Sequence, residues 1–132
     1  MSNNRDMTLY AEENPDPTAL AYPFEYIGED DEGMTPRPII GHEPAPIENF
    51  PKNIETYYWA YEGQNDGESW YCLCKLTNGT YVYYTANCDY TGFSCQGEMI
   101  LWSSTDPAVL LQYAMGEYDY QLYRKECTER VI

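Results

Sequence analysis

The sequence predicts an α+β fold: an antiparallel sheet of about four strands, then one or two C-terminal helices, preceded by an extended, acidic, proline-rich arm. Three observations predict it. From residue 56 to residue 103, aromatic and apolar runs alternate with turn-forming residues, and Asn78-Gly79 sits between two of the runs. Ser104-Thr105-Asp106-Pro107 then opens a stretch of helical spacing. Seven of the nine prolines fall within residues 1–50, which hold no cysteine and no tryptophan.

The chain divides accordingly into an arm, 1–50, and a small α+β domain, 51–132. The arm carries 11 acidic and 2 basic residues, a net of −9. Pro15, Pro17, Pro23, Pro36, Pro38, Pro44 and Pro46 each remove a backbone donor and interrupt any regular element. Two apolar clusters, Leu20 to Ile27 and Ile39-Ile40, are its expected anchor points on the folded part or on a partner. Glu29-Asp30-Asp31-Glu32 reads as a solvated loop, with a tether for a basic partner as the sharper alternative.

Within the domain, Thr56-Tyr57-Tyr58-Trp59-Ala60-Tyr61 is strand-favouring, and Gly63-Gln64-Asn65-Asp66-Gly67 is turn material. Ser69 to Leu76 and Thr80 to Ala86 form a hairpin about Asn78-Gly79, so the sequon at Asn78 reads as a turn. Glu98 to Ser103 is the fourth strand. A two-residue type I′ turn pairs Leu76 with Tyr81, Cys74 with Tyr83, Cys72 with Thr85 and Trp70 with Asn87. Trp70, Cys72, Cys74, Leu76, Tyr81 and Tyr83 then share one face, and Tyr71, Leu73, Val82, Tyr84 and Ala86 the other. Both faces are apolar. One is expected under the helices, and the other under the arm or another chain.

Asp106 is the expected N-cap of the first helix and Pro107 its first residue, with Val109, Leu110, Tyr113 and Ala114 inward and Gly116 ending it. A second helix is expected from 117 to about 127, with Tyr118 and Leu122 inward. Arg124-Lys125 then lie near its C-terminal end, where the dipole favours them.

The run Cys88-Asp89-Tyr90-Thr91-Gly92-Phe93-Ser94-Cys95-Gln96-Gly97 reads as a long loop rich in polar groups. The hairpin register brings it to the same end of the sheet as the 63–68 loop. Asn65, Asp66, Glu68, Asp89, Tyr90, Thr91 and Gln96 gather there as candidate ligand or interaction residues. In the plainer reading the two loops bond each other and cap the sheet, because a polar loop must satisfy its backbone groups.

Other chemistry finds little support. Cys72-x-Cys74 and Cys88-x6-Cys95 do not match common zinc spacings, and the expected register puts Cys88 on the other face from Cys72 and Cys74. Buried small hydrophobes is the simpler reading of Cys72 and Cys74. A Cys88–Cys95 disulfide is disfavoured in a reducing compartment. One histidine, His42, lies in the arm, remote from any cysteine or serine nucleophile. Asp66, Glu68 and Asp89 are the better enzyme case, as a hard-cation site or an acid–base pair. The glycines lack the spacing of a phosphate-binding loop. No cofactor is implied.

Charge bounds the partners. The net charge of −15, from 22 acidic and 7 basic residues, repels nucleic acid and anionic lipid and attracts basic surfaces. No leader is apparent behind Met1, no window is long and apolar enough for a membrane span, and five cysteines do not make a secreted disulfide framework. The chain therefore reads as soluble and intracellular.

The segment Tyr61 to Gly67, then Trp70, then Ala86 to Gly97, resembles a family of small uncharacterised proteins with a CDYTGFxCQG core, found in cellular eukaryotes and in large DNA viruses. The resemblance covers roughly residues 55–115 and leaves the arm outside. It implies only that the two loops belong together, and no activity; a viral source is expected beside it, with the host cytoplasm, nucleus or virion as location. The expected function is a non-enzymatic acidic interaction protein, docking on a basic partner or self-assembling, as a virion component or host-directed factor. The alternative is a small-ligand or divalent-metal site, with hydrolytic activity, at the 63–68 and 87–97 loops.

Overall fold

The computed structural model describes residues 5–11, 36–48, 50, 52–61, 69–89 and 96–131. Four antiparallel strands form a meander in the order β1-β2-β3-β4: β1 (Ile54–Tyr61), β2 (Ser69–Leu76), β3 (Tyr81–Asp89) and β4 (Gln96–Ser104). Helix α1 (Pro107–Val109) opens with Asp106 as N-cap, its carboxylate accepting from the Ala108 amide at 3.0 Å. It passes straight into a π-helical turn (Leu110–Ala114), closed by the Met115 amide donating to the Leu110 carbonyl at 3.0 Å. Gly116 separates this turn from helix α2 (Glu117–Val131). The α+β arrangement is as the sequence predicts.

The hairpin between β2 and β3 does not follow the expected turn. Gly79 donates to the Leu76 carbonyl at 3.0 Å, and Leu76 donates to the Thr80 carbonyl at 2.8 Å. The loop thus holds three residues, with Gly79 in the left-handed region at φ +90°. The Asn78 side chain accepts from the Thr80 amide and donates to the Pro46 carbonyl, which fixes this form. The extra residue moves the register by one: Lys75 pairs with Tyr81, Cys74 with Val82, Leu73 with Tyr83, Cys72 with Tyr84 and Trp70 with Ala86. Tyr83 therefore joins the face of Tyr71 and Leu73, while Val82 and Tyr84 join that of Cys72 and Cys74. Position 88 falls in step with 82, 84 and 72, so nothing in the register sets it on the opposite face from Cys72. Gly79→Ala is expected to cost about 1–2 kcal/mol in urea denaturation, because a Cβ at that φ is strained even though it meets no atom.

One face of the sheet lies under the helices. Trp59, Tyr71, Leu73 and Tyr83 pack against Leu110, Leu111, Met115, Tyr120, Tyr123 and Cys127. The inward seam of α2 is Tyr120, Tyr123 and Cys127; Leu122 is half-buried, whereas Tyr118, expected inward, is 72% exposed. The π-turn explains a second correction. Its additional residue per turn rotates the following positions, so Leu111 is buried and Tyr113 is 61% exposed. Helix α2 also runs four residues beyond the expected 127, which places Arg124 in mid-helix, bonded to Asp6 at 2.9 Å.

The opposite face holds Cys72, Cys74, Leu76, Val82, Tyr84 and Leu101, with Ile47, Phe50, Ile54 and Tyr57 packed on them. Cys72 and Cys74 are buried thiols among apolar neighbours, as the simpler reading expects. Ile54 and Tyr57 belong to β1 itself, and the arm adds Ile47 and Phe50 as cover. Arg37 donates its amide to the Leu101 carbonyl at 2.7 Å along the β4 edge, and Ser103 Oγ donates to the Ala45 carbonyl at 2.7 Å. Ile39 reaches the helix-side cluster while Ile47 and Phe50 reach the other. Residues 36–48 and 50 thus wrap the β4 edge. Of the expected anchors, Ile39 is one, Ile40 is fully exposed, and Leu20 to Ile27 lies outside the described residues.

The first described residues dock on the helices. The Arg5 guanidinium donates to the carbonyls of Leu111 at 2.7 Å and Met115 at 2.8 Å, and lies over the Tyr120 ring. It thereby satisfies carbonyls that the end of the π-turn leaves open. Asp6 donates its amide to the Tyr120 hydroxyl, and the Tyr123 hydroxyl donates to the Thr8 carbonyl.

Candidate functional site

The predicted site lies at one end of the sheet. β1 ends at Tyr61, opposite Tyr71, and β2 begins at Ser69, opposite Asn87. The β3–β4 ladder runs unbroken to Asp89 opposite Gln96. The 62–68 and 90–95 connections therefore leave the sheet at the same end, as the sequence predicts, although the shifted register puts Ser69 opposite Asn87 in place of Trp70. The ladder also shortens the expected loop. Cys88 pairs with Gly97 and Asp89 with Gln96, so only 90–95 connects the strands. Asp89 and Gln96 face each other on the last rung as backbone positions. Asn65, Asp66, Glu68, Tyr90 and Thr91 lie outside the described residues.

Elsewhere, three described carboxylates brace the fold. Asp119 accepts from the Tyr83 hydroxyl at 2.6 Å, and Glu126 from the Trp59 indole at 2.9 Å. Asp6 accepts from the Thr8 hydroxyl and amide, which hold its carboxyl below the usual range, with Arg124 adding to the effect. Burial pushes tyrosine hydroxyls the other way. Tyr57 rises to about 12, through burial and then its neighbours Cys72 and Cys74. A phenol so shifted stays protonated at neutral pH and is a poor nucleophile. Cys72 and Cys74 lie in one cluster and Cys127 in the other, with the sheet between them. Among the described residues, no three His, Cys, Asp or Glu side chains gather to hold a metal ion.

His42, the chain's one histidine, is placed far from the loop end. Its turn is fastened to Leu101 and Ser103 of β4. Leu101 is five residues from Gln96, about 16 Å of extended strand. Its ring faces Tyr113, with centroids 5.5 Å apart.

No protein-family model, curated protein or solved structure matches this chain. Its functional reading therefore rests on chemistry and placement. What sequence reasoning missed is an exposed apolar group: Ile40 at 100% and Tyr113 at 61% exposure, joined through His42. Ile40 looks like an arm anchor because it stands beside Ile39. The signal against that reading was Gly41, which at φ +84° makes Ile39 to His42 a tight turn and leaves Ile40 at its corner.

Among the described residues, no helix is long and apolar enough to cross a membrane.

Proposed function

We propose that this chain is a non-enzymatic acidic interaction protein that docks on a basic protein surface. The net charge of −15 carries the reading. A field of that sign gathers basic partners and opposes association between identical chains, which favours a foreign partner over self-assembly. Two further observations support it: Asp106, Asp119 and Glu126 serve as cap and struts of the fold, and Cys72, Cys74 and Cys127 are buried. The resemblance of the Cys88–Gly97 run supports a viral setting, as a virion component or a host-directed factor.

The competing reading is a small-ligand or divalent-metal site at the loop end, favoured by the convergence of the two connections there. Native mass spectrometry of the chain from its natural source separates the two. The expected result is the bare chain mass together with a complex containing a basic protein. The association rate of that pair should fall about tenfold or more between low and 300 mM salt. A stoichiometric metal or small-molecule adduct, lost in the Asp66→Asn, Asp89→Asn double variant, would replace this reading with the chemical one.

A further inference from the structure

We propose that Ile40, on a turn fastened to the β4 edge whose His42 packs against Tyr113, is the apolar anchor by which this chain grips its basic partner; this rests on the interaction reading above. Isolated apolar residues on a surface are ordinary. Ile40 differs in how it is held. The turn Ile39-Ile40-Gly41-His42 is closed by the His42 amide donating to the Ile39 carbonyl at 2.9 Å, with Gly41 supplying the positive φ. Both of its legs are bolted to one strand. Arg37 bonds Leu101 on one side, and the buried Ala45 accepts from Ser103 on the other. Pro36, Pro38, Pro44 and Pro46 stiffen the legs further.

A β-branched side chain gains nothing at the exposed corner of such a turn, and Pro or a polar residue suits that position better. Ile40 is nevertheless wholly exposed, while Ile39 beside it is packed on the helix-side cluster. The loop thus spends its anchoring on holding an apolar tip rigid in solvent. Rigid presentation lowers the entropy lost on binding, and one or two such groups carry most of an interface's affinity. Tyr113, 61% exposed and tilted against the His42 ring, adds an aromatic group packed on the same turn.

Charge selects the occupant. Arg37 and Glu43, the charged residues of the legs, offset each other, so the chain's overall −15 governs approach. A second copy of the chain would bring the same charge. The fitting partner presents an apolar recess bordered by Lys and Arg.

The test selects a displayed random-peptide library on the full chain at low and at 150 mM salt. Individual binders are then measured against wild type, Ile40→Ser, Tyr113→Ser and the control Tyr118→Ser, each first checked for an unchanged melting temperature. Binders with an apolar residue flanked by Lys or Arg, weakened about tenfold or more by Ile40→Ser and Tyr113→Ser and less than about twofold by Tyr118→Ser, are expected. Basic binders indifferent to Ile40→Ser overturn the anchor and leave the interaction reading standing. A library without basic binders overturns both. A homodimer in sedimentation that Ile40→Ser dissolves overturns the basic occupant in favour of a second copy.

Discussion

Trp59→Ala is expected to cost about 3–5 kcal/mol, the range for truncating a large buried aromatic. Trp59 is 1% exposed at the centre of the helix-side core. Its ring stacks on Tyr71 at 5.2 Å and on Tyr83 at 6.3 Å, and meets Tyr123 of α2 edge-on at 5.6 Å. Its indole donates to Glu126, about two helical turns along α2 from the Asp119 that accepts from the Tyr83 hydroxyl. Truncation therefore empties a site that touches both layers and removes one of the polar struts between sheet and α2. Domains of this size have about 5–15 kcal/mol of stability in all, so the variant should melt far below wild type or populate the unfolded state in mild urea. Trp59→Phe separates the causes. It keeps a stacked ring and loses the donor to Glu126, whose carboxylate is half-buried and can rehydrate, so a smaller loss of about 1–2 kcal/mol is expected. Urea unfolding followed by circular dichroism measures both. A cost for Trp59→Ala no larger than that of Trp59→Phe would mean that the aromatic row is not what joins helix to sheet.

Much of this fold was legible because local signals and burial agree. The four strands, the Asp106-Pro107 helix start and the break at Gly116 follow from short-range chemistry and are found where expected. The two apolar faces also predicted two covers, and helices supply one and the arm the other. What failed was phase. Asn78-Gly79 fits both a two-residue and a three-residue loop, and the choice between them is made by Asn78 reaching Pro46, 32 positions away. That long-range bond flips every β3 side chain relative to β2. The π-turn is a similar case: Arg5, more than 100 positions upstream, occupies its open carbonyls. Of the candidate site, the convergence of the two connections was legible, since it depends on strand order and not on phase. The knob at Ile40 was not, because its exposure follows from how far-off partners fasten its legs.

Above pH 10 the fold is expected to lose stability steeply, through its buried tyrosines. Tyr84 and Tyr83 are both within 1% of full burial. Burial raises the Tyr84 hydroxyl well above its ordinary value, with Cys72 and Cys74 adding to it. Burial raises Tyr83 likewise, and its bond to the Asp119 carboxylate holds the proton further. Tyr123 is raised by burial and by Cys127, and Tyr57 reaches about 12. In the unfolded chain these phenols titrate near 10. Between that value and the folded ones the unfolded chain binds fewer protons, so stability falls as pH rises. The stabilisation is whole below pH 10 and declines from there through about 12 and beyond. Two fully retained protons give a slope of roughly 2.7 kcal/mol per pH unit, and Tyr57 and Tyr123, raised less strongly, add to it over a narrower range. Phenolate absorbance of the buried set should therefore rise in one cooperative step, coincident with the loss of circular dichroism. Tyr84→Phe removes one proton from the linkage and should lower the slope by about 1.4 kcal/mol per pH unit, whatever it costs at neutral pH. A gradual rise in phenolate absorbance to pH 12 with the dichroism intact would place these hydroxyls in contact with water, and the two packed faces described above would then be wrong.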